Sequence, residues 1–206
     1  MTRAETMRWA GEGIALAWAF WLLGWALAGL RTKPVLRRES HASTLIHAAP
    51  LLLGMALLLV DGNSRPGRVL AAWPATAWLF HRFIAPWPGL VLIGAPLVLA
   101  GLAVTLWARL HLGGNWSGSV TLKQSHSLIR SGPYRLARHP IYTGLLIAIA
   151  GTGFATGEGR GVAGFALILL AFRIKSRIEE RVMLAHFGEA YRRYQAEVKA
   201  LVPFLF

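Results

Sequence analysis

Long uncharged stretches alternate with short basic segments along the chain. Four stretches lack Asp, Glu, Lys and Arg and approach or exceed the roughly 20 helical residues that cross a bilayer. They are residues 13–30, 40–60, 83–108 and 140–157. A fifth, residues 161–172, spans a membrane only if its helix continues through Arg173, Lys175 and Arg177, whose long side chains then reach the interface or a polar cavity. The pattern predicts an all-α polytopic membrane protein with about five transmembrane helices.

Two of the apolar segments admit a second interpretation. Residues 13–30 follow Arg3 and Arg8, as the core of a signal peptide would. The run is longer than the roughly 7–15 residues of such a core and carries three bulky tryptophans, so we interpret it as a span. Residues 69–87 contain two prolines and a His-Arg pair, and we expect them to lie at the membrane interface as an aromatic-rich segment.

Composition supports the membrane interpretation. The 206 residues are 55% apolar and only 15% charged, whereas a soluble domain is typically about a quarter charged. The net charge of +13 would indicate nucleic acid in a soluble chain. Here the basic residues lie between apolar spans, so no nucleic-acid partner is expected. The chain has no cysteine, which excludes thiolate chemistry, and its seven histidines lack the paired helical spacing of a metal site.

The basic residues also predict an orientation. With five spans, 16 of the Lys and Arg residues fall on the side that holds the C-terminus and 6 on the other. Because basic residues concentrate on the cytoplasmic side, we expect a cytoplasmic C-terminus and an N-terminus on the outside. The chain has bacterial character, so the expected location is the bacterial cytoplasmic membrane, with the lipid bilayer as a partner. The oligomeric state is left open.

The segment between the third and fourth spans, residues 109–140, is far longer than the roughly two to eight residues that join helices in a bundle. Turn signals at Gly113 and Gly132 predict that it folds back as a cytoplasmic cap. Pro140 suits the first turn of a helix, so the positive end of the fourth span should lie beside Arg135 and Arg138. An anionic group would be stabilised there. The alternative is that both arginines only contact lipid headgroups.

The second cytoplasmic segment, residues 172–206, begins as an amphipathic extension of the fifth span that should end at Gly188. Glu179 and Glu180 form an adjacent acidic pair in a chain with only 9 acidic residues. They either belong to a site or balance nearby arginines on a solvated helix. Tyr191 and Tyr194 follow, and the alternative for them is packing onto the membrane surface.

Three motifs in these segments resemble the isoprenylcysteine carboxyl methyltransferase family and its phospholipid methyltransferase relatives. They are Asn115-Trp116-Ser117, LKQSHSLIRSGPYRLARHPIYTG at residues 122–144, and EERVMLAHFGEAYRRYQAEVKALVPF at residues 179–204. The similarity covers the C-terminal half from about Ala108. It divides the chain into spans one to three, residues 1–108, and the methyltransferase part that forms the cofactor site, residues 109–206.

The resemblance implies an integral membrane enzyme that binds S-adenosylmethionine on its cytoplasmic face and methylates a lipid-tailed small molecule or a lipidated acceptor. The acceptor group is a carboxylate in the isoprenylcysteine members and an amine in the phospholipid members. The family has no Rossmann domain, and this chain has no GxGxxG motif after a strand. By similarity, the cofactor-binding positions are Tyr134, His139, Pro140, Tyr142, Glu179, Glu180, Tyr191 and Tyr194.

The chemistry agrees with a carboxylate acceptor. A carboxylate is already nucleophilic, so positioning and desolvation are the main requirements. Arg135 or Arg138 would orient an anionic acceptor, and Glu180 would contact the ribose hydroxyls or the ammonium group of the cofactor, which makes these three the catalytic candidates. We expect the tail to enter sideways from the bilayer, near Trp107 and Trp116. Alternatives are an amine N-methyltransferase, an NADPH-dependent sterol-type reductase that shares the pocket, and a non-enzymatic membrane scaffold.

Overall fold

The computed structural model describes residues 3–30, 32–84 and 88–201, and most of them are helical. Five long helices account for the uncharged stretches. They are α1 (Arg3–Gly29), α2 (His41–Leu59), α4 (Pro88–Leu112), α5 (Pro140–Thr156) and α6 (Gly159–Phe187). Two shorter helices, α3 (Arg65–Ala72) and α7 (Glu189–Glu197), complete the helical part.

By length and composition, three helices are able to cross a membrane. The corresponding stretches are Gly11–Gly29, His41–Leu59 and Gly89–Asn115. Helix α5 is apolar but has only 17 residues, and α6 carries Arg160 in its first turn and its other charges from Arg173 onward. Three membrane-capable helices therefore make this an integral membrane protein, while five spans and the cytoplasmic orientation stay predictions.

The helix boundaries follow the local sequence signals. Pro140 begins α5, because its missing amide hydrogen costs nothing in the first turn. Helix α6 runs unbroken to Phe187, as the continuous apolar stripe predicts, and ends at Gly188, whose φ of +53° favours glycine. The expected interfacial segment contains the second half of α3 and a 3₁₀ turn at Ala77–Phe80. Its residues 85–87 lie outside the described residues.

Close helix packing depends on glycines at matching heights. A Cβ atom added to Gly144 would lie 2.6 Å from the carbonyl oxygen of Gly101, and one added to Gly151 would lie 2.6 Å from that of Gly94. These contacts bring α4 and α5 together along their length. Gly54 and Gly164 do the same for α2 and α6. Small residues permit this approach, which is how helices gain contact in a bilayer without a hydrophobic driving force.

A two-stranded antiparallel sheet departs from the expectation of a purely helical chain. Strand β1 (Val35–Arg38) pairs with β2 (Thr121–Lys123), and Val35 lies opposite Lys123. Three or four residues are too short to show an alternating pattern, and the strands are far apart in sequence, so the sequence analysis missed them. The sheet ties the connection between α1 and α2 to the long segment before α5.

Candidate active site

A cavity of about 850 Å³ runs from the C-terminal helix α7 down between the long helices. One end is polar and is lined by the beginning of α5, the second half of α6, and α7. The other end is an apolar groove between α1 and α2 with α5 as its floor. The motifs at residues 122–144 and 179–204, which we call the two family motifs, contribute the residues of the polar end.

The polar end is organised around the carboxylate of Glu180. It accepts hydrogen bonds from Arg138 Nε at 2.8 Å and Gln195 Nε2 at 3.1 Å, and it lies 3.1 Å from His139 Nε2. Arg138 also donates to the carbonyl oxygens of Gln195 and Val198. The result is a partly buried network, which we call the Glu180 cluster (Arg138, His139, Glu180 and Gln195). It joins the start of α5 to residues 194–201, which we call the C-terminal segment.

Backbone hydrogen bonds strengthen this junction. The amides of Arg138 and His139 donate to the carbonyl oxygens of Lys199 and Ala200 at 2.8 and 2.9 Å. The hydroxyl of Tyr194 donates to the carbonyl oxygen of Tyr134 at 2.6 Å. The C-terminal segment therefore closes the polar end of the cavity. The end of the resembling motif, from Val202 onward, lies outside the described residues.

Glu179 occupies the opposite side of the histidine and lines the cavity itself. Its carboxylate lies 3.3 Å from His139 Nδ1 and accepts a 2.6 Å hydrogen bond from the hydroxyl of Tyr142. The ring of Tyr142 stacks between His139 and Phe172, with centroid distances of 5.5 and 4.6 Å. The carboxylate of Glu179 thus faces the cavity, whereas that of Glu180 supports the wall behind His139.

The histidine and Glu180 shift each other towards their charged forms. Burial opposes protonation of His139, but hydrogen bonds to Glu179 and Glu180 outweigh it and raise the pKa of His139. Burial also opposes ionisation of Glu180, but its hydrogen bonds with His139 and Arg138 lower its pKa to about 2. The two carboxylates on either side of the ring therefore favour the imidazolium form of His139.

This pair predicts how folding stability depends on pH. As pH falls below the ordinary glutamate value of 4.5 towards about 2, the contribution of Glu180 is lost. As pH rises above the ordinary histidine value of 6.5, the contribution of His139 is lost through its raised pKa. We expect the melting temperature in detergent to be highest between these values and the alkaline decline to be weaker in His139→Gln. An unchanged alkaline decline in that variant would contradict the ion pair.

Among the site residues expected from the sequence, all but Arg135 and Glu180 line the cavity. Arg135 is exposed, and Glu180 lies behind His139. Arg138 lines the cavity, yet its guanidinium is engaged by Glu180 and backbone carbonyls. Trp116 lines the cavity, whereas Trp107 is 44% exposed and lies outside it. The roles of these residues stay predictions.

Glu39, which was not predicted as a site residue, holds another wall of the cavity. Its buried carboxylate accepts hydrogen bonds from Ser43 Oγ at 2.8 Å and the Val120 amide at 3.0 Å, and it lies 3.1 Å from His47 Nε2. The Glu39 amide donates back to Val120, so the cavity-lining residues 117–121 are tied to the start of α2. The available signal was the four-residue spacing of Glu39, Ser43 and His47, which is typical of one helical face, although Glu39 itself precedes the N-cap residue Ser40.

Comparison with known proteins places the chain in a family. The family model for isoprenylcysteine carboxyl methyltransferases matches residues 92–186. A probable protein-S-isoprenylcysteine O-methyltransferase from Oryza sativa subsp. indica is 32% identical over 173 residues, which cover 82% of this chain and 84% of the rice protein. The protein-S-isoprenylcysteine O-methyltransferase of Xenopus laevis is 33% identical over 119 residues, which cover 56% of this chain and 41% of that protein.

The fold has a counterpart among solved structures. The structure of a eukaryotic intramembrane Ras methyltransferase, an isoprenylcysteine carboxyl methyltransferase, aligns with a TM-score of 0.50 at 24% sequence identity. The alignment covers 78% of this chain, which spans 63% of the solved chain. With the rice protein matched over most of both chains, these findings show that the chain belongs to the isoprenylcysteine carboxyl methyltransferase family.

Proposed function

We propose that this membrane methyltransferase transfers a methyl group from S-adenosylmethionine to the carboxylate of an acceptor that carries an apolar tail. The observation that supports this best is the single cavity, which joins the polar end formed by the two family motifs to an apolar groove between α1 and α2. A two-substrate reaction needs such a junction between donor and tailed acceptor. The basic-residue asymmetry supports a cytoplasmic position for the polar end.

The residues of the polar end suit the proposed donor. S-adenosylmethionine is a sulfonium cation with an ammonium group, a carboxylate, ribose hydroxyls and an adenine ring. Glu179 supplies a cavity-facing carboxylate for a cationic or hydroxyl group, and Tyr142 and Tyr194 line the same end. Tyr191 adds a further buried aromatic wall. When bound, the sulfonium supplies the activated methyl group.

The apolar groove suits a tail. Trp18 and Trp25 of α1 lie on one side, and Leu51 and Met55 of α2 lie on the other. Helix α1 packs on α4 and α2 packs on α6, so the groove opens between α1 and α2 towards the bilayer. Its lining on α1 begins at Gly11 and extends over four turns, roughly 21 Å at 1.5 Å per residue. A tail is therefore able to enter sideways without leaving the apolar phase.

The reaction requires no acid or base. A carboxylate oxygen attacks the methyl carbon in line with the carbon–sulfur bond, the new carbon–oxygen bond forms, and sulfur keeps the electron pair as a neutral thioether. No proton is transferred, and the negative charge of the acceptor cancels the positive charge of the donor. The contribution of the protein is to hold the two groups in line and to exclude water, which is the role of a cavity closed by α7 and the C-terminal segment.

Cofactor calorimetry tests the donor directly. We expect S-adenosylhomocysteine to bind the purified protein in detergent with a stoichiometry near one, and we expect no binding of NADPH. The polar end offers a carboxylate, which favours a cationic ligand over a polyphosphate. Binding of NADPH without binding of S-adenosylhomocysteine would favour the reductase alternative. Binding of neither would leave a non-enzymatic scaffold as the better account.

A further inference from the structure

The cationic side chains at the cavity differ in how far their hydrogen bonds are already used. Arg138 and Lys175 are the lysine and arginine residues that line it in the part of the chain that the structure describes. The guanidinium of Arg138 is bonded to Glu180 through two nitrogens and to two backbone carbonyls. Its donors are therefore committed to holding the C-terminal segment, and Arg138 is poorly placed to bind a further anion.

The ammonium group of Lys175 makes fewer hydrogen bonds than the guanidinium of Arg138. Within the described residues, its ammonium group makes one hydrogen bond, to the carbonyl oxygen of Gly118 at 2.6 Å. An ammonium has three N–H donors, so two remain for a ligand. The same nitrogen lies 5.6 Å from the centroid of the Tyr142 ring. The ammonium group therefore lies over an aromatic residue of the cavity wall.

Lys175 lies on α6 between an apolar level and a polar level of the cavity. Phe172, three residues earlier, belongs to the apolar packing around Tyr142, and Glu179, four residues later, faces the polar end. At 1.5 Å per residue, Lys175 lies about 4.5 Å from the first level and about 6 Å from the second along the helix axis. The ammonium is thus at the boundary between the tail groove and the donor end. That boundary is where a tailed carboxylate must meet the methyl group.

We propose that Lys175 binds the carboxylate of the acceptor and selects anionic acceptors over neutral ones of the same length. The proposal rests on the proposed function, which it deepens by naming the residue that recognises the head group. Because the negative charge of the carboxylate is cancelled as the methyl group arrives, a cation favours the bound substrate over the transition state. Lys175 should therefore control acceptor affinity and should not accelerate the transfer itself. The neutral ester formed has no charge for Lys175 to hold, which favours its release.

The carboxylate of the donor competes with that of the acceptor as a ligand for Lys175. Both ligands carry one, and an ammonium at the boundary is able to attract either. The two sources predict different results when Lys175 is changed. If the lysine binds the acceptor, the affinity for S-adenosylhomocysteine is unaffected, whereas binding of the donor carboxylate would make that affinity fall.

The test compares Lys175→Met with the matched control Arg177→Met, which removes one positive charge from an exposed position of the same helix. Methyl transfer to an N-acetyl-S-alkyl-cysteine gives KM and kcat, and inhibition by this acid's carboxamide gives the preference for the charged head group. We expect Lys175→Met to raise KM about 10-fold, the lower end of the range for a hydrogen bond to a charged group, because the charge of Glu179 already interacts with that of Lys175. We expect kcat to be unchanged or higher. We also expect it to lose the preference for carboxylate over carboxamide, and Lys175→Arg to restore that preference.

The outcomes separate this proposal from the function on which it rests. A wild-type protein that binds S-adenosylhomocysteine but methylates no carboxylate overturns the proposed acceptor class, and the role of Lys175 falls with it. A wild-type protein that methylates the carboxylate while Lys175→Met keeps its KM and head-group preference overturns the role of Lys175 alone. A tenfold or greater loss of S-adenosylhomocysteine affinity in Lys175→Met overturns it in favour of donor binding. Equal effects in Arg177→Met would overturn it in favour of general surface charge.

Discussion

Replacing Glu180 with alanine is expected to abolish binding of S-adenosylhomocysteine and to lower the free energy of unfolding by about 3 kcal/mol. This is the lower end of the range for a buried ion pair, because the side chains of Arg138 and Glu180 are 11% and 16% exposed. The carboxylate holds Arg138, His139 and Gln195 together, so its loss leaves a buried guanidinium without its partner. The C-terminal segment then keeps its backbone hydrogen bonds to the start of α5 but loses the side-chain network that supports them. Calorimetry and thermal unfolding in detergent measure the two effects.

The Glu180 prediction has a matched control on the same side of the molecule. Glu197 pairs with Arg130 at the surface, where both side chains are substantially exposed. Because exposed pairs contribute roughly 0–1 kcal/mol, Glu197→Ala should leave stability and cofactor affinity close to those of the wild type. Glu180→Gln keeps the size of the side chain and should still weaken binding. Full cofactor affinity in folded Glu180→Gln would show that the charge of Glu180 is not needed to hold the site.

Acceptor affinity is expected to rise steeply with the length of the tail. Burial of a methylene group stabilises binding by roughly 0.8 kcal/mol, so KM should fall up to about fourfold per added carbon, since 1.4 kcal/mol corresponds to a factor of ten. The turnover number should change little, because the tail is bound equally in the ground state and the transition state. A series of N-acetyl-S-alkyl-cysteines with tails of about 5, 10 and 15 carbons, compatible with the roughly 21 Å groove, measures this dependence.

A variant that narrows the groove between α1 and α2 tests whether the tail binds there. Ala15 lines the groove on α1, whereas Ala26 lies on the exposed surface of the same helix and does not line it. We expect Ala15→Phe to raise KM for the longest tail most, and we expect Ala26→Phe to leave the length dependence unchanged. Equal activity on long-tailed and tailless acceptors would contradict entry from the bilayer and would indicate a small soluble acceptor.

Features with local sequence signals were predictable. The start of α5 at Pro140 and the end of α6 at Gly188 each follow from the backbone chemistry of one residue. The long helices follow from uncharged runs, because a bilayer requires an apolar surface over a known length. The polar end of the cavity was also expected, because family resemblance placed both motifs at one site.

Features that depend on distant partners were not predictable. The sequence marks Arg138 as a cation near a helix start, but only the fold brings Glu180 against it and so commits its donors. Lys175 appears in the sequence as one of several interfacial charges, and its position becomes informative only beside Tyr142. Glu39 shows the same limit, because its amide partner Val120 is 81 residues away. In each case the sequence gives the type of side chain, whereas the folded structure determines its partner.

The most direct test of the central claim is a methyl-transfer assay with S-adenosylmethionine labelled in its methyl group and an N-acetyl-S-alkyl-cysteine with a tail of about 15 carbons, a length that the roughly 21 Å groove accommodates. The account predicts that label enters the lipid-soluble product as a methyl ester, which mild base hydrolyses to release labelled methanol. Stoichiometric S-adenosylhomocysteine should form at the same time. Label that resists base, or the absence of transfer from a protein that binds S-adenosylhomocysteine, would contradict carboxyl methylation of a tailed acceptor.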